Sequence, residues 1–301
     1  MSDLHSQDAN RHTGGRRGNG GFALVSVLWI VTVLAILATS VLQISRLHSD
    51  ISHSVHQRAK ARTAADAGFY LAVMQLLAVA PNMKLPEQGW TGHSITYEWE
   101  FDGVALSVSV ENESSRVDLN FASERTLRDL ALAVLGDASR ADAIANAILD
   151  YRDKDDLRRL DGAEDIDYKR AGRAFGAANG PFQTVDELRR VLGMTQELFE
   201  QLRHAVTVFA EAGDIDTTMS TPLVVQAVLG ISSEEAKQLV AERIENAGEL
   251  NFPQIEIARI RAAAQTSSGS RYFREGVVLL KEGKGKHYAI LDWREDFVRD
   301  N

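Results

Sequence analysis

The chain has no cysteine among its 301 residues, which excludes disulfides, thiolate metal sites and cysteine nucleophiles. It has only five prolines, so long helices can run unbroken. A basic excess is also missing. Lys and Arg total 33 against 42 Asp and Glu, a net charge of −9, which argues against non-specific binding to phosphate backbones and favours a divalent cation. The eight histidines form no HExxH; His48, His53 and His56 are spaced as a polar helix face rather than as a ligand pair. GxSxG, a phosphate-binding glycine loop and a dinucleotide fingerprint are all absent. The run Gly283-Lys284-Gly285-Lys286 sits between strand-like segments and reads as a turn. Carboxylates are plentiful, but none is set apart as an acid–base group, so no enzyme is expected.

Charge is absent from one long run. Phe22 to Ile44 holds 23 residues without an ionisable side chain. As a helix it would be roughly 35 Å long, enough to cross a bilayer core once. It exceeds the apolar region of a secretory signal peptide. Arg11, Arg16 and Arg17 precede it, and positive flanks stay cytoplasmic. The expected location is the inner membrane as a single pass, with the bulk periplasmic. An ordinary signal anchor fits the same facts.

The pair Gly20-Gly21 separates the readings. A basic leader, Gly21, then Phe22 opening an uncharged helix resembles the class III signal of type IV pilins and pseudopilins. That resemblance implies cleavage by a prepilin peptidase between Gly21 and Phe22 and methylation of the new terminus. Pilins commonly carry Glu five residues into the mature chain, where it pairs with a neighbouring subunit; here the residue is Ser26. A buried carboxylate is costly unless paired, and a subunit at a filament tip has no neighbour above it. The chain therefore resembles the K-type minor pseudopilin of the type II secretion system.

Downstream, Ile51, Val55, Ala59, Phe69, Val73 and Leu76 keep a helical spacing as far as Pro81. Ile95, Tyr97, Trp99 and Phe101 alternate, as do Leu106, Val108 and Val110 after Asp102-Gly103, which predicts a β-hairpin. From Val117 to Ala264 the pattern is helical, with Ser123, Thr184 and Ser232 or Ser233 as N-caps and Leu-Gly endings as C-caps. Strands return at Tyr272-Phe273, Val277–Leu280 and Tyr288–Trp293. The expected fold is α+β: a pilin-like long N-terminal helix on a small antiparallel sheet, with a large all-helical domain inserted between strands. The expected divisions are a leader at 1–21, a helix at 22–80 with 22–44 in the membrane, a sheet body at 81–116 and 266–301, and an insert at 117–265. This layout also resembles the K-type pseudopilin, so the likeness covers nearly the whole chain.

Two motifs lie in the helical block. Val117-Asp118-Leu119-Asn120 to Leu135-Gly136, Pro181 to Gly193, and Ile215 to Gly230 resemble helix-hairpin-helix units, which elsewhere hold DNA phosphates. That leaves a membrane-anchored DNA-uptake receptor as an alternative, although the second glycine of such hairpins is missing each time and Asp137 adjoins Gly136. The other motif is Asp150-Tyr151-Arg152-Asp153-Lys154-Asp155-Asp156, followed by Asp161-Gly162-Ala163-Glu164-Asp165. Asp153, Asp155, Asp161 and Glu164 match four places of a calcium loop, yet Leu157 and Arg158 break the EF-hand pattern. A solvated acidic loop offset by Arg152, Lys154, Arg158 and Arg159 is the plain alternative. The family resemblance implies bound calcium, with Asp153, Asp155, Glu164 and Asp165 as ligands and Asp150 nearby. It further implies a tip position that initiates or caps the pseudopilus for export across the outer membrane. The implied partners are the I-type and J-type minor pseudopilins, the major pseudopilin and the prepilin peptidase. A minor pilin of a type IV pilus would share the leader.

Overall fold

The computed structural model describes residues 20–77, 88–246, 255–281 and 287–298. The leader arginines, Pro81 and the turn at Gly283–Lys286 lie outside them. The chain divides into two units, one ending at His56 and one starting at Gln57. Helix α1 (Gly20–Leu76) contributes to both.

In the first unit, Leu24–Val41 has a mean hydropathy of 2.5 and none of this stretch is buried by the protein. It is long and apolar enough to cross a membrane. Three of its hydroxyls bond within the helix: Thr32, Thr39 and Ser40 donate to the carbonyls of Leu28, Ala35 and Ile36 at 2.7, 2.8 and 2.9 Å. That is what a polar group needs in hydrocarbon. Gly21 and Phe22 fall in the first turn of α1.

The second unit contains the remainder of α1, then β1 (Gln88–Trp90), β2 (Ile95–Phe101) and β3 (Val104–Asn112). An inserted segment follows, with β4 (Val117–Asp118), α2 (Glu124–Leu135), α3 (Ala138–Arg152), α4 (Asp165–Arg170), α5 (Gln196–Leu202), β5 (Val206–Thr207), α6 (Pro222–Leu229) and α7 (Ser233–Glu245). The chain returns to the sheet with β6 (Ile257–Thr266), β7 (Arg271–Lys281) and β8 (His287–Val298). The sheet order is β1-β2-β3-β6-β7-β8, and every neighbouring pair is antiparallel. The insert thus leaves from one strand and returns to the strand beside it.

The hairpin at Asp102-Gly103 forms as its sequence predicts. Both residues have positive φ, 50° and 70°, the tight turn whose twist suits the two strands. Ser123, Thr184 and Ser232 stand at N-cap positions, and Gly136 and Gly230 end α2 and α6 in the left-handed conformation.

Two expectations need correction. The insert is not all helical: Val117 and Asp118 pair in parallel with Val206 and Thr207, where a helix through the run His204–Phe209 was expected. Its end also lies earlier than residue 265, because Ile257–Thr266 is a central strand. Alanines at 258, 262, 263 and 264 favour helix by propensity. Here Ala258, Ile260, Ala262 and Ala264 are buried in one core with Ala61, Ala64, Ala65, Phe69 and Ala72 of α1. Small side chains on both sides let helix and strand approach, and this packing overrides local preference. A separate core serves the insert, built around Leu119, Leu127, Ile148, Tyr151, Tyr168, Phe182 and Leu202.

The root of the insert is fixed by one buried acid. Glu113 is fully buried. It accepts from Arg259 of β6 at 2.5 Å and from the Thr207 hydroxyl of β5, with Arg116 3.8 Å away. Arg259 also donates to Glu275 of β7 at 2.9 Å. Burial alone would raise the Glu113 carboxyl, but the Arg259 and Arg116 charges and these hydrogen bonds outweigh it and hold it below its ordinary value. Arg259→Leu would strand the carboxylate and should cost about 3–5 kcal/mol in urea unfolding. The depressed Glu113 also contributes stability that is complete above pH 4.5 and is lost as pH falls through its folded value. Acid unfolding of the wild type should therefore be steeper below that pH than that of the variant; parallel curves would contradict the assignment.

Candidate metal centre

The acidic motif is shaped by the end of α3 and the start of α4. Asp153 is the C-cap of α3 and Glu164 the N-cap of α4, so the loop between them folds back on itself. Arg159 holds the fold-back. Its backbone N–H donates to Asp150 at 3.2 Å and its guanidinium at 2.7 Å, and the same nitrogen donates to Asp153 Oδ2. Those bonds, first to Asp153 and then to Asp150, raise the Arg159 pKa further. Gly162 is required beside them, because a Cβ there would lie 2.1 Å from Asp150 Oδ2. Asp161 precedes it with φ at 58°.

Asp153, Asp155 and Glu164 come together, each with a carboxylate oxygen within 4.8 Å of the others. Asp153 Oδ1 and both oxygens of Glu164 are buried with no hydrogen-bond partner among the described residues. Glu164 is only 2% exposed. Burial, then the charges of Asp150, Asp153, Asp156 and Asp155, push its carboxyl up to about 7. Asp155 Oδ1 accepts from the Leu157 N–H at 2.9 Å. Asn179 Oδ1 is a further buried acceptor without a partner, and its amide donates to Asp156 at 3.2 Å.

The structure therefore assembles three of the five expected acids. Asp150 is turned to Arg159 instead. Asp165 does not join the group; its carboxylate packs over Gly176, where a Cβ would lie 1.8 Å from Oδ1. Asn179 was not singled out in the sequence, and Arg159 and Gly162 were read there only as a solvated counter-charge and as part of the motif. The solvated-loop alternative fails for Asp150, which is buried and neutralised by Arg159, and for Glu164, which is buried among like charges. Hard oxygen donors with buried lone pairs suit calcium, since unpartnered buried acceptors are costly until something neutralises them.

The hairpin-like segments have a different use. Asp118 accepts from the N–H groups of Asn120 and Glu211 at 2.8 and 3.0 Å. Asn120 exchanges two hydrogen bonds with the Phe182 backbone at 2.8 and 3.0 Å. Arg152 caps the carbonyls of Leu119 and Ala122. These side chains are consumed in joining one part of the insert to another.

Residues 107–211, which include the three-carboxylate group, match the family described as type II secretion system (T2SS), protein K. A type II secretion system protein K from Pectobacterium carotovorum is 29% identical over 54% of this chain and 52% of that protein. Another from Pseudomonas aeruginosa is 25% identical over 76% of this chain and 73% of that one. The chain is thus similar to protein K of the type II secretion system through its insert and along most of its length. It spans about half the length of the first relative and about three quarters of the second. A chain of the solved GspK-GspI-GspJ complex from enterotoxigenic Escherichia coli has the same fold, with a TM-score of 0.56 and 16% identity over 81% of this chain and 99% of that one.

Glu164 supplies a test. Its raised value means that its contribution to the chelated protein is complete below 4.5 and is lost as pH rises through about 7. In chelator the wild type should lose melting temperature across that window, and Glu164→Gln should not, because an amide carries no charge to repel. Equal pH profiles for the two proteins would show that Glu164 is not crowded by its neighbours.

Proposed function

We propose that this chain is a minor pseudopilin at the tip of the type II secretion pseudopilus, where it initiates or caps assembly for protein export across the outer membrane. The observation that carries this reading is the match of residues 107–211 to protein K in an insert that no plain pilin body requires. It is supported by the absence of an acid at Ser26 in an otherwise pilin-like leader and helix. The chain is a structural subunit and not an enzyme. Its partners are the I-type and J-type minor pseudopilins, as the GspK-GspI-GspJ assembly suggests by likeness of fold, and the major pseudopilin below them.

The anchor lies in the inner membrane with Arg16 and Arg17 on the cytoplasmic side, in keeping with the positive-inside rule. A prepilin peptidase cuts between Gly21 and Phe22, and Phe22 is methylated. Asp153, Asp155 and Glu164 hold calcium, with Asn179 Oδ1 as a further oxygen donor. The ion supplies the positive charge that the three carboxylates lack, and so fixes the α3–α4 loop.

Co-expression with a prepilin peptidase should remove residues 1–21, and a bulky residue in place of Gly21 should block the cut. N-terminal sequencing that finds the leader intact in both would defeat this reading. Calcium should raise the melting temperature of the wild type by several degrees, and an Asp153→Ala/Glu164→Ala variant should show no such rise. Identical melting of the wild type with calcium and with chelator would remove the ion from the account.

A further inference from the structure

Away from the carboxylates, the insert and the sheet enclose a cleft of about 430 Å³. Pockets of this size between substructures are the usual places for small ligands and peptide ends. One side of the cleft is the sheet, from Ser109 of β3 across β6 and β7 to Leu291 of β8; the other is the insert, from Gln183 to Asp186 and from Phe199 to Phe209.

Most of its charges are already matched. Arg116 pairs with Glu111, and Arg259 with Glu113 and Glu275. Arg294 reaches Asp292 at 3.0 Å and Asp186 at 3.6 Å, and Arg203 reaches Glu200 at 3.1 Å. Arg261 is different. It has no acidic partner among the described residues, and its guanidinium lies 4.9 Å from the centroid of the Phe273 ring. Stacking of this kind engages the face of the guanidinium and leaves its in-plane N–H donors free, which is the geometry that grips a carboxylate. His204 is half-buried in the same wall. Burial first, then Arg203 and Arg116, lower its pKa, so at neutral pH it offers one donor and one acceptor and no charge. The other surfaces are apolar: Val185, Phe209, Phe273 and Leu291. One cation left unmatched among paired charges, beside the apolar surfaces of Phe209, Phe273 and Leu291, suits a ligand with a single negative end and an apolar side chain next to it.

We propose that this cleft binds the carboxyl terminus of a polypeptide, with Arg261 holding the carboxylate and the last side chain lying among Phe209, Phe273 and Leu291. The site is independent of the carboxylate centre and goes beyond the assembly role. The probe is a fluorescent pentapeptide ending in Phe-Leu, titrated into the full chain in detergent micelles with calcium present. The free-acid peptide should bind saturably, and its C-terminal amide should bind about tenfold more weakly or worse, as expected for loss of a charge-assisted pair. Arg261→Glu should lose the free-acid peptide by a similar factor. Arg261 is exposed and carries no ion pair among the described residues, so the variant should keep its fold, and an unchanged melting curve checks this; Arg261→Gln is the milder substitute if it does not. Equal affinity for acid and amide, or no effect of either Arg261 variant, would overturn the proposal. Tight binding of an amidated peptide with an internal Glu would overturn the terminus as the source of the carboxylate.

Discussion

Among the described residues four acidic side chains are removed from water, Glu113, Asp118, Asp150 and Glu164, and the contrast between Glu113 and Glu164 organises the rest. Glu113 is answered from within. Arg259, Arg116 and Thr207 come from the sheet and the insert to meet it, so the same contacts that neutralise the charge also tie the insert to the strands that flank it. Glu164 is not answered by any side chain among the described residues. Its neighbours are Asp153 and Asp155, and the nearby arginine is spent on Asp150 and on the far oxygen of Asp153. A buried group of like charges is unfavourable until a cation enters. The insert therefore has one joint closed by the protein and another that a metal ion would close.

This division suits a domain interrupting a sheet. β3 and β6 are adjacent and antiparallel, so the sheet is complete whether or not the insert is fully ordered. The sheet and the insert have largely separate hydrophobic cores, with Met219 of the insert joining the core of the sheet. The arginine-lined cleft lies between the sheet and the insert.

Much of this was legible in the chain, and for identifiable reasons. Asp102-Gly103 between alternating apolar residues specifies a hairpin by local geometry alone, and the caps at Ser123 and Ser232 are equally local. The run from Phe22 to Ile44 declares itself by lacking charge. What sequence reasoning missed depends on distant partners. Ile257–Thr266 reads as helix because alanine favours helix, and it is pairing with β3 and β7 and packing on the distant alanines of α1 that make it a strand. Among the acids, spacing could assemble Asp153, Asp155 and Glu164, but not assign Asp150 to Arg159 or Asp165 to the surface over Gly176. Those outcomes follow from the fold-back of the loop, which the glycine at 162 permits and no periodicity records. Asn179 reaches the neighbourhood from a further loop and left no signal beside the motif.

The central claim is that a cation bound by Asp153, Asp155 and Glu164 orders the loop joining α3 to α4. Hydrogen exchange of the intact protein, measured with calcium and with chelator, tests it most directly. The account predicts slower exchange with calcium for amides from Asp150 to Tyr168, and no change in β3 and β6. Equal exchange of that loop in both conditions would contradict it.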